Sequence, residues 1–271
     1  MGNSLFLTSI LSMAGLAFLF AAILAFADKK LRIKEDPRVE ELTNLLPGIN
    51  CGACGFKSCH DFAEHIVTEG ADPGKCRVVD EETREKLFAL MGEAEGTVYK
   101  YIPVIHCAAE WKNKKNKAEY KGIKTCGAAN LNFGSGLECQ YGCMGFGDCT
   151  EVCPFDALHM VEGLPRVDQK KCTGCGKCAE ACPRNIITME EKRNDVLIYI
   201  ACSSHDNTLR TRQVCDVGCI ACGICDKLSQ GEFFKVVDNL SVPDYTKQTS
   251  ERIEKIRDIS SKCPTKVIKE M

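Results

Sequence analysis

No stretch of this sequence reads as a nucleotide site. GSGLEC (134–139) and GFGDC (145–149) lack the third glycine and the strand–helix context of a dinucleotide fingerprint, and no P-loop motif occurs. The chain is therefore expected to bind neither nicotinamide nor ATP directly. Charge of one sign is missing too: 35 Lys and Arg against 37 Asp and Glu leave a formal net charge of −2. No global field draws such a chain to nucleic acid. Histidine is scarce, five in 271 residues. His60, His65, His106, His159 and His205 are read as surface or ligand-supporting groups, and Asp61 with His65, four apart, as a pair on a helix surface.

Against these absences stand 20 cysteines. They fall in close groups, whereas buried core thiols would be scattered. Disulfides need an oxidising compartment, and C-x-x-C-x-x-C runs are too tight to pair easily within themselves. Zinc favours paired C-x-x-C knuckles, often with histidine. Four-thiolate iron–sulfur clusters fit the pattern best.

The one long apolar run is LFLTSILSMAGLAFLFAAILAFA (5–27), which carries no charge. As a helix it reaches about 35 Å, enough to span a hydrocarbon core of about 30 Å. Ala25-Phe26-Ala27 imitates a signal-peptidase site, but no Lys or Arg precedes the run and it exceeds a usual signal core. Lys29, Lys30, Arg32 and Lys34 follow it and favour the cytoplasmic side. A retained single-pass anchor with the bulk of the chain in the cytoplasm is expected, and that reducing compartment suits free thiolates. Gly15 and the Ala-rich face allow packing on another membrane helix; a lone helix in lipid fits equally.

The fold class expected behind the anchor is α+β, in small metal-held modules. The expected divisions are an anchor (1–28), a linker (29–36), an N-terminal four-cysteine module (37–98) and a ferredoxin-like multi-cluster domain (99–271) with a two-cluster core at 139–190. Helices are expected at about 38–46, after Ser58 (Phe62, Ile66 and Val67 at helical spacing), at 80–93 and at 249–261 with a Thr or Ser cap. An internal repeat supports the core: DCTEVCPFDALHM (148–160) aligns with KCAEACPRNIITM (177–189) at an offset of 29.

Cys172, Cys175, Cys178 and Cys182-Pro183 match the bacterial ferredoxin run C-x2-C-x2-C-x3-C-P, whose fourth cysteine serves the other cluster. Cys172, Cys175 and Cys178 then take Cys153 as their fourth ligand. The first half is stretched, Cys139-x3-Cys143-x5-Cys149-x3-Cys153-Pro154, and its expected set is Cys139, Cys143, Cys149 and Cys182. Cys51, Cys54, Cys59 and Cys76 form one compact set, with core thiols as the alternative for Cys59 and Cys76. Cys219, Cys222, Cys225 and Cys263-Pro264 form another, despite 37 residues before its last member. Cys107, Cys126, Cys202 and Cys215 remain. They either bind a fifth cluster or leave one or more thiols free, so 4Fe-4S clusters number at least three and up to five. Six lysines in 111–124 make a loop that either steers an acidic ferredoxin or is simply solvated.

The N-terminal helix, CGACGFKSC…C, and then GCMGFGDCTEVCPFDAL…KCTGCGKCAEACPRNII resemble the B subunit of the Rnf complex over nearly the whole chain. The resemblance implies an electron-transfer subunit, with no substrate-converting site of its own, in a ferredoxin:NAD+ oxidoreductase of the bacterial cytoplasmic membrane coupled to Na+ or H+ transport. It implies reduced ferredoxin as donor and the A, C, D, E and G subunits as partners. The thiols at 107, 126, 202 and 215 and beyond depart from shorter members. A SoxR-reducing complex, a membrane-tethered polyferredoxin for another enzyme, and an iron–sulfur sensor remain as alternatives.

Overall fold

The computed structural model describes residues 2–31, 36–92 and 100–271. Helix α1 (Gly2–Leu31) continues past the expected end at 28. Residues 32–35 of the expected linker, and the expected boundary at 98/99, lie outside the described residues. Phe6–Lys30 is long and apolar enough to cross a membrane. Phe18 is 79% exposed and Leu24 69%. An apolar helix uncovered on all sides needs lipid or another helix around it.

Next come three short helices, α2 (Pro37–Leu45), α3 (Cys59–Glu69) and α4 (Glu81–Met91). Each begins on a side-chain oxygen that accepts an otherwise unpaired backbone N–H: Asp36 from Arg38, Ser58 from Asp61 and Asp80 from Thr83. Leu42, Phe62, Ile66 and Leu87 close a core that includes Cys76.

Residues 100–192 hold β1 (Lys100–Ile105), α5 (Cys126–Leu131), α6 (Asp148–Glu151), β2 (Leu158–Val161), β3 (Leu164–Val167), α7 (Lys177–Glu180) and β4 (Ile187–Lys192). Antiparallel β1 and β4 pair in the register Ile102↔Glu190 and Ile105↔Ile187, enclosing the β2–β3 hairpin in sequence. The strand that pairs with β4 thus lies well before residue 139.

Residues 198–270 repeat that order: β5 (Ile198–Ile200), α8 (Thr208–Val214), α9 (Ile224–Ser229), the hairpin β6 (Phe234–Val237) and β7 (Leu240–Pro243), α10 (Ile253–Ser261) and β8 (Ile268–Glu270). Here β5 pairs with β8 and β6 with β7, again antiparallel. The long interval before Cys263 is therefore the hairpin and helix that separate the halves of such a unit. Helix α10 starts later than 249 and has no side-chain cap. Thr249–Arg252 forms a turn, and the Ser250 hydroxyl bonds Asn194 instead.

Ile102 and Val104 of the first unit share one core with Ile198, Ile200, Phe233, Phe234 and Ile256 of the second. A second core is built around the thiols themselves: Cys143, Cys149, Cys172 and Cys178 lie among Leu158, Leu164 and Ile186. Two-stranded ladders of three to six residues are marginal alone, so groups bound at those thiols would hold the unit together.

Candidate iron–sulfur sites

All 20 cysteines are described, all carry free thiols, and five cavities account for every one of them. Cys51, Cys54, Cys59 and Cys76 line the first, between α2, α3 and the loop before them. The Asn50 side chain accepts the Cys59 N–H at 2.8 Å and fixes the start of α3 beside that loop.

Cys153, Cys172, Cys175 and Cys178 line the second. Gly174 is required there: its φ is +77°, and a Cβ would lie 2.5 Å from the Tyr101 carbonyl oxygen. The Ala157 N–H donates to Cys153 Sγ at 3.3 Å.

The third cavity is lined by Cys126, Cys143, Cys149 and Cys182. The fourth is lined by Cys107, Cys139, Cys202 and Cys215, with Cys143 on the shared wall. Cys126 and Cys139 have thus exchanged places relative to the spacing-based sets. The cause is local. Asp148 precedes Cys149 and accepts the Cys126 N–H at 2.7 Å and the Gly127 N–H at 3.0 Å, which pins the start of α5 at the third cavity. Arg184 donates to the Cys139 carbonyl at 3.2 Å and holds that loop on the far side.

The fourth set draws two thiols from each unit. Cys107 follows β1 and Cys202 follows β5, at matching places in the two repeats. The backbone of Lys114 bridges that of Cys215. The fifth cavity has Cys219, Cys222, Cys225 and Cys263, as the Cys-Pro ending predicts. Cys225 Sγ lies 3.2 Å from the Ser241 hydroxyl. Cys222 alone among the 20 thiols is classed as exposed.

Neighbouring sets approach one another in one order. Cys51 is close enough to Cys175 for its charge to raise that thiol, and Cys178 acts likewise on Cys149. The Cys143 N–H donates to Cys107 Sγ at 3.4 Å, and Cys219 adjoins Cys202. Arg77 stacks 3.8 Å above the Tyr101 ring where the N-terminal module meets the first unit.

Burial pushes the Cys143, Cys149, Cys178 and Cys202 thiols up to about 12 and Cys215 to about 11. Nearby thiols add to this: Cys107 at Cys143, Cys143 at Cys149 and Cys172 at Cys178. Free thiols in such places keep their protons, and binding a cationic iron core would release them. Among the described residues no three of His, Cys, Asp or Glu converge closely enough for one metal ion. Sulfurs in fours around a cavity, unlinked by disulfides, suit the corners of a cubane.

Of the histidines, His106 alone lines one of these five cavities, the fourth, beside Cys107. His106 Nδ1 lies 2.8 Å from the Ile200 carbonyl and Nε2 2.8 Å from the Thr188 hydroxyl, and burial holds its pKa down. It ties β1 to β4 and β5 just before Cys107. His65 Nδ1 contacts the Asp61 carbonyl at 2.7 Å, the expected helix pair. The lysine loop is less bare than its composition implies. Lys112 pairs with Glu110, Lys115 with Asp216 and Lys121 with Glu119, while Lys114 is drawn inward. The placement of Lys114 and Arg184 among the thiols is a feature that cysteine spacing does not signal.

Comparison with known proteins agrees with this chemistry. Residues 46–78 match a family model for an Fe-S cluster, and residues 165–188 match the 4Fe-4S binding domain. The B subunit of the ion-translocating oxidoreductase complex of Methanosarcina acetivorans is 35% identical over 249 residues, 92% of this chain and 94% of that protein. The B subunit of the Na(+)-translocating ferredoxin:NAD(+) oxidoreductase complex of Acetobacterium woodii is 36% identical, covering 97% of this chain and 78% of the relative. The proton-translocating counterpart of Clostridium ljungdahlii is 33% identical over 99% and 93%. With matches of that depth over nearly its full length, the chain belongs to the B-subunit family of Rnf-type ion-translocating oxidoreductase complexes and is an electron-transfer protein of that family.

Proposed function

We propose that this chain is anchored in the cytoplasmic membrane by α1, accepts electrons from reduced ferredoxin and delivers them to the other subunits of an ion-translocating ferredoxin:NAD+ oxidoreductase. It holds five 4Fe-4S clusters: at Cys51/Cys54/Cys59/Cys76, Cys153/Cys172/Cys175/Cys178, Cys126/Cys143/Cys149/Cys182, Cys107/Cys139/Cys202/Cys215 and Cys219/Cys222/Cys225/Cys263. When bound, such clusters supply one-electron chemistry. The chain's own residues set where that chemistry happens. Buried thiols and the apolar walls around them keep water away, and backbone N–H groups at Cys107, Cys153 and Cys202 orient the sulfurs.

The observation that carries this reading is the single file of five four-thiol cavities. One end has the exposed Cys222 and can meet a soluble donor. The other end is the Cys51 set, in the module that follows the membrane helix in sequence. Iron and sulfide analysis of anaerobically purified protein, with EPR of the reduced state, tests it. About twenty iron atoms per chain are expected, four at each site. Zinc in their place, or disulfides, overturns the assignment. Isolation of the anchored chain with membrane subunits and a nicotinamide-reducing partner tests its place in a complex.

A further inference from the structure

Two inward-drawn cations stand between the third and fourth thiol sets. Arg184 lines the third cavity, two residues after Cys182. Its Nη1 donates to the carbonyls of Gly142 at 2.5 Å and Cys139 at 3.2 Å, and its Nη2 to that of Gly134 at 3.1 Å. Its Nε is buried without a partner. Lys114 lines the fourth cavity. Its Nζ donates to the Gly163 carbonyl at 2.7 Å and lies 4.2 Å from the centre of the Trp111 ring.

Among the described residues no carboxylate pairs with either cation. Unpaired charges drawn from water are costly, and guanidinium stays protonated in proteins. Burial is the leading influence on both groups, each lowered by it, and the opposing influence comes from thiols: Cys139, Cys143, Cys107 and Cys182 around Arg184, and Cys143, Cys107 and Cys126 around Lys114. Those thiols belong to both sets, so the two cations face the pair of sites together. Space is made for the guanidinium. Gly134 has φ +62°, and a Cβ there would fall on Arg184.

We propose that Arg184, supported by Lys114, raises the reduction potentials of the sites at Cys126/Cys143/Cys149/Cys182 and Cys107/Cys139/Cys202/Cys215. The inference rests on the cluster assignment proposed above. Reduction of one site by one electron, from ferredoxin in the complex or from dithionite in a titration, adds one negative charge and moves no atom. A fixed cation beside the site stabilises the more negative state, and does so more strongly where water is excluded. Two adjoining sites that share the same cations become a shallow well for electrons in the middle of the file.

The test is an EPR-monitored potentiometric titration of the full-length protein in detergent, with iron counted in every sample. Arg184→Gln is expected to make reduction at two of the five sites about tenfold less favourable, a fall of about 59 mV for one electron. The other three steps serve as internal reference and should stay in place. Lys114→Gln is expected to shift the same two steps in the same direction, and Arg184→Lys to keep most of the wild-type potential because it keeps the charge. If Arg184→Gln loses iron, Lys114→Gln decides by the same criterion. Full iron with unmoved potentials overturns the proposal. So does a uniform shift of all five steps, or a shift in Arg184→Lys equal to that in Arg184→Gln. A wild-type protein with fewer than about twenty iron atoms instead defeats the five-cluster reading, before any variant is compared.

Discussion

The two halves of the offset-29 repeat make opposite use of similar sequences. In the second half, Cys172, Cys175 and Cys178 fall in one tight loop, and all three line one cavity with Cys153 from the other half. In the first half the loop is stretched, and Cys143 and Cys149 stay with Cys182 while Cys139 turns away to a different cavity. Its place is filled by Cys126, from a helix the second half lacks. Tight spacing fixes a trio by local backbone geometry alone. Once the loop lengthens, contacts from elsewhere decide which sulfur goes where, and here these are Asp148 on Cys126 and Arg184 on Cys139.

The sharpest way to break this contrast is the double variant Cys126→Ser/Cys143→Ser. If both thiols serve one site, iron falls by about four atoms; if they serve two, as spacing alone implies, it falls by about eight. Four is expected. A smaller effect is expected at the tight loop. Gly174→Ala forces an L residue into positive φ, costing about 1–2 kcal/mol, and crowds the Tyr101 carbonyl. A lower melting temperature of the iron-loaded protein should result, by several degrees. An unchanged melting curve would mean that this loop is not held as tightly as described.

Asp148→Ala is expected to remove less iron than the double variant does. It removes two hydrogen bonds to a carboxylate, each worth about 1.5–3 kcal/mol at most, and leaves every thiol in the chain. Partial loss of iron confined to one site is expected, with the signals of the Cys172 loop intact. Loss spread evenly over all sites would sink the role given to Asp148.

Much of the molecule was legible from local pattern. Ser58 and Asp80 cap α3 and α4 where the sequence places their starts, and the expected end at 93 lies outside the described residues. The ferredoxin run locates its own set, and the Cys-Pro at 263 anticipates the fifth. What spacing does not carry is non-local. Pairing of β1 with β4 and of β5 with β8 joins segments more than 60 residues apart, and it makes the C-terminal part a second copy of the first unit's plan. That duplication is why Cys107 and Cys202 arrive at one cavity although 95 residues separate them in sequence. One lysine among six in a polar loop, or an arginine after Cys-Pro, likewise gives no hint that folding will turn it inward.

The file of sites also has a direction in time. Its sets are completed, in order, by Cys76, Cys178, Cys182, Cys215 and Cys263, the same order in which they lie side by side. A ribosome making this chain therefore finishes the donors of each site only after those of the site before it, starting beside the anchor helix. Shortening the chain from its C-terminus strips donors from the outer tip inward and never leaves a gap in the middle.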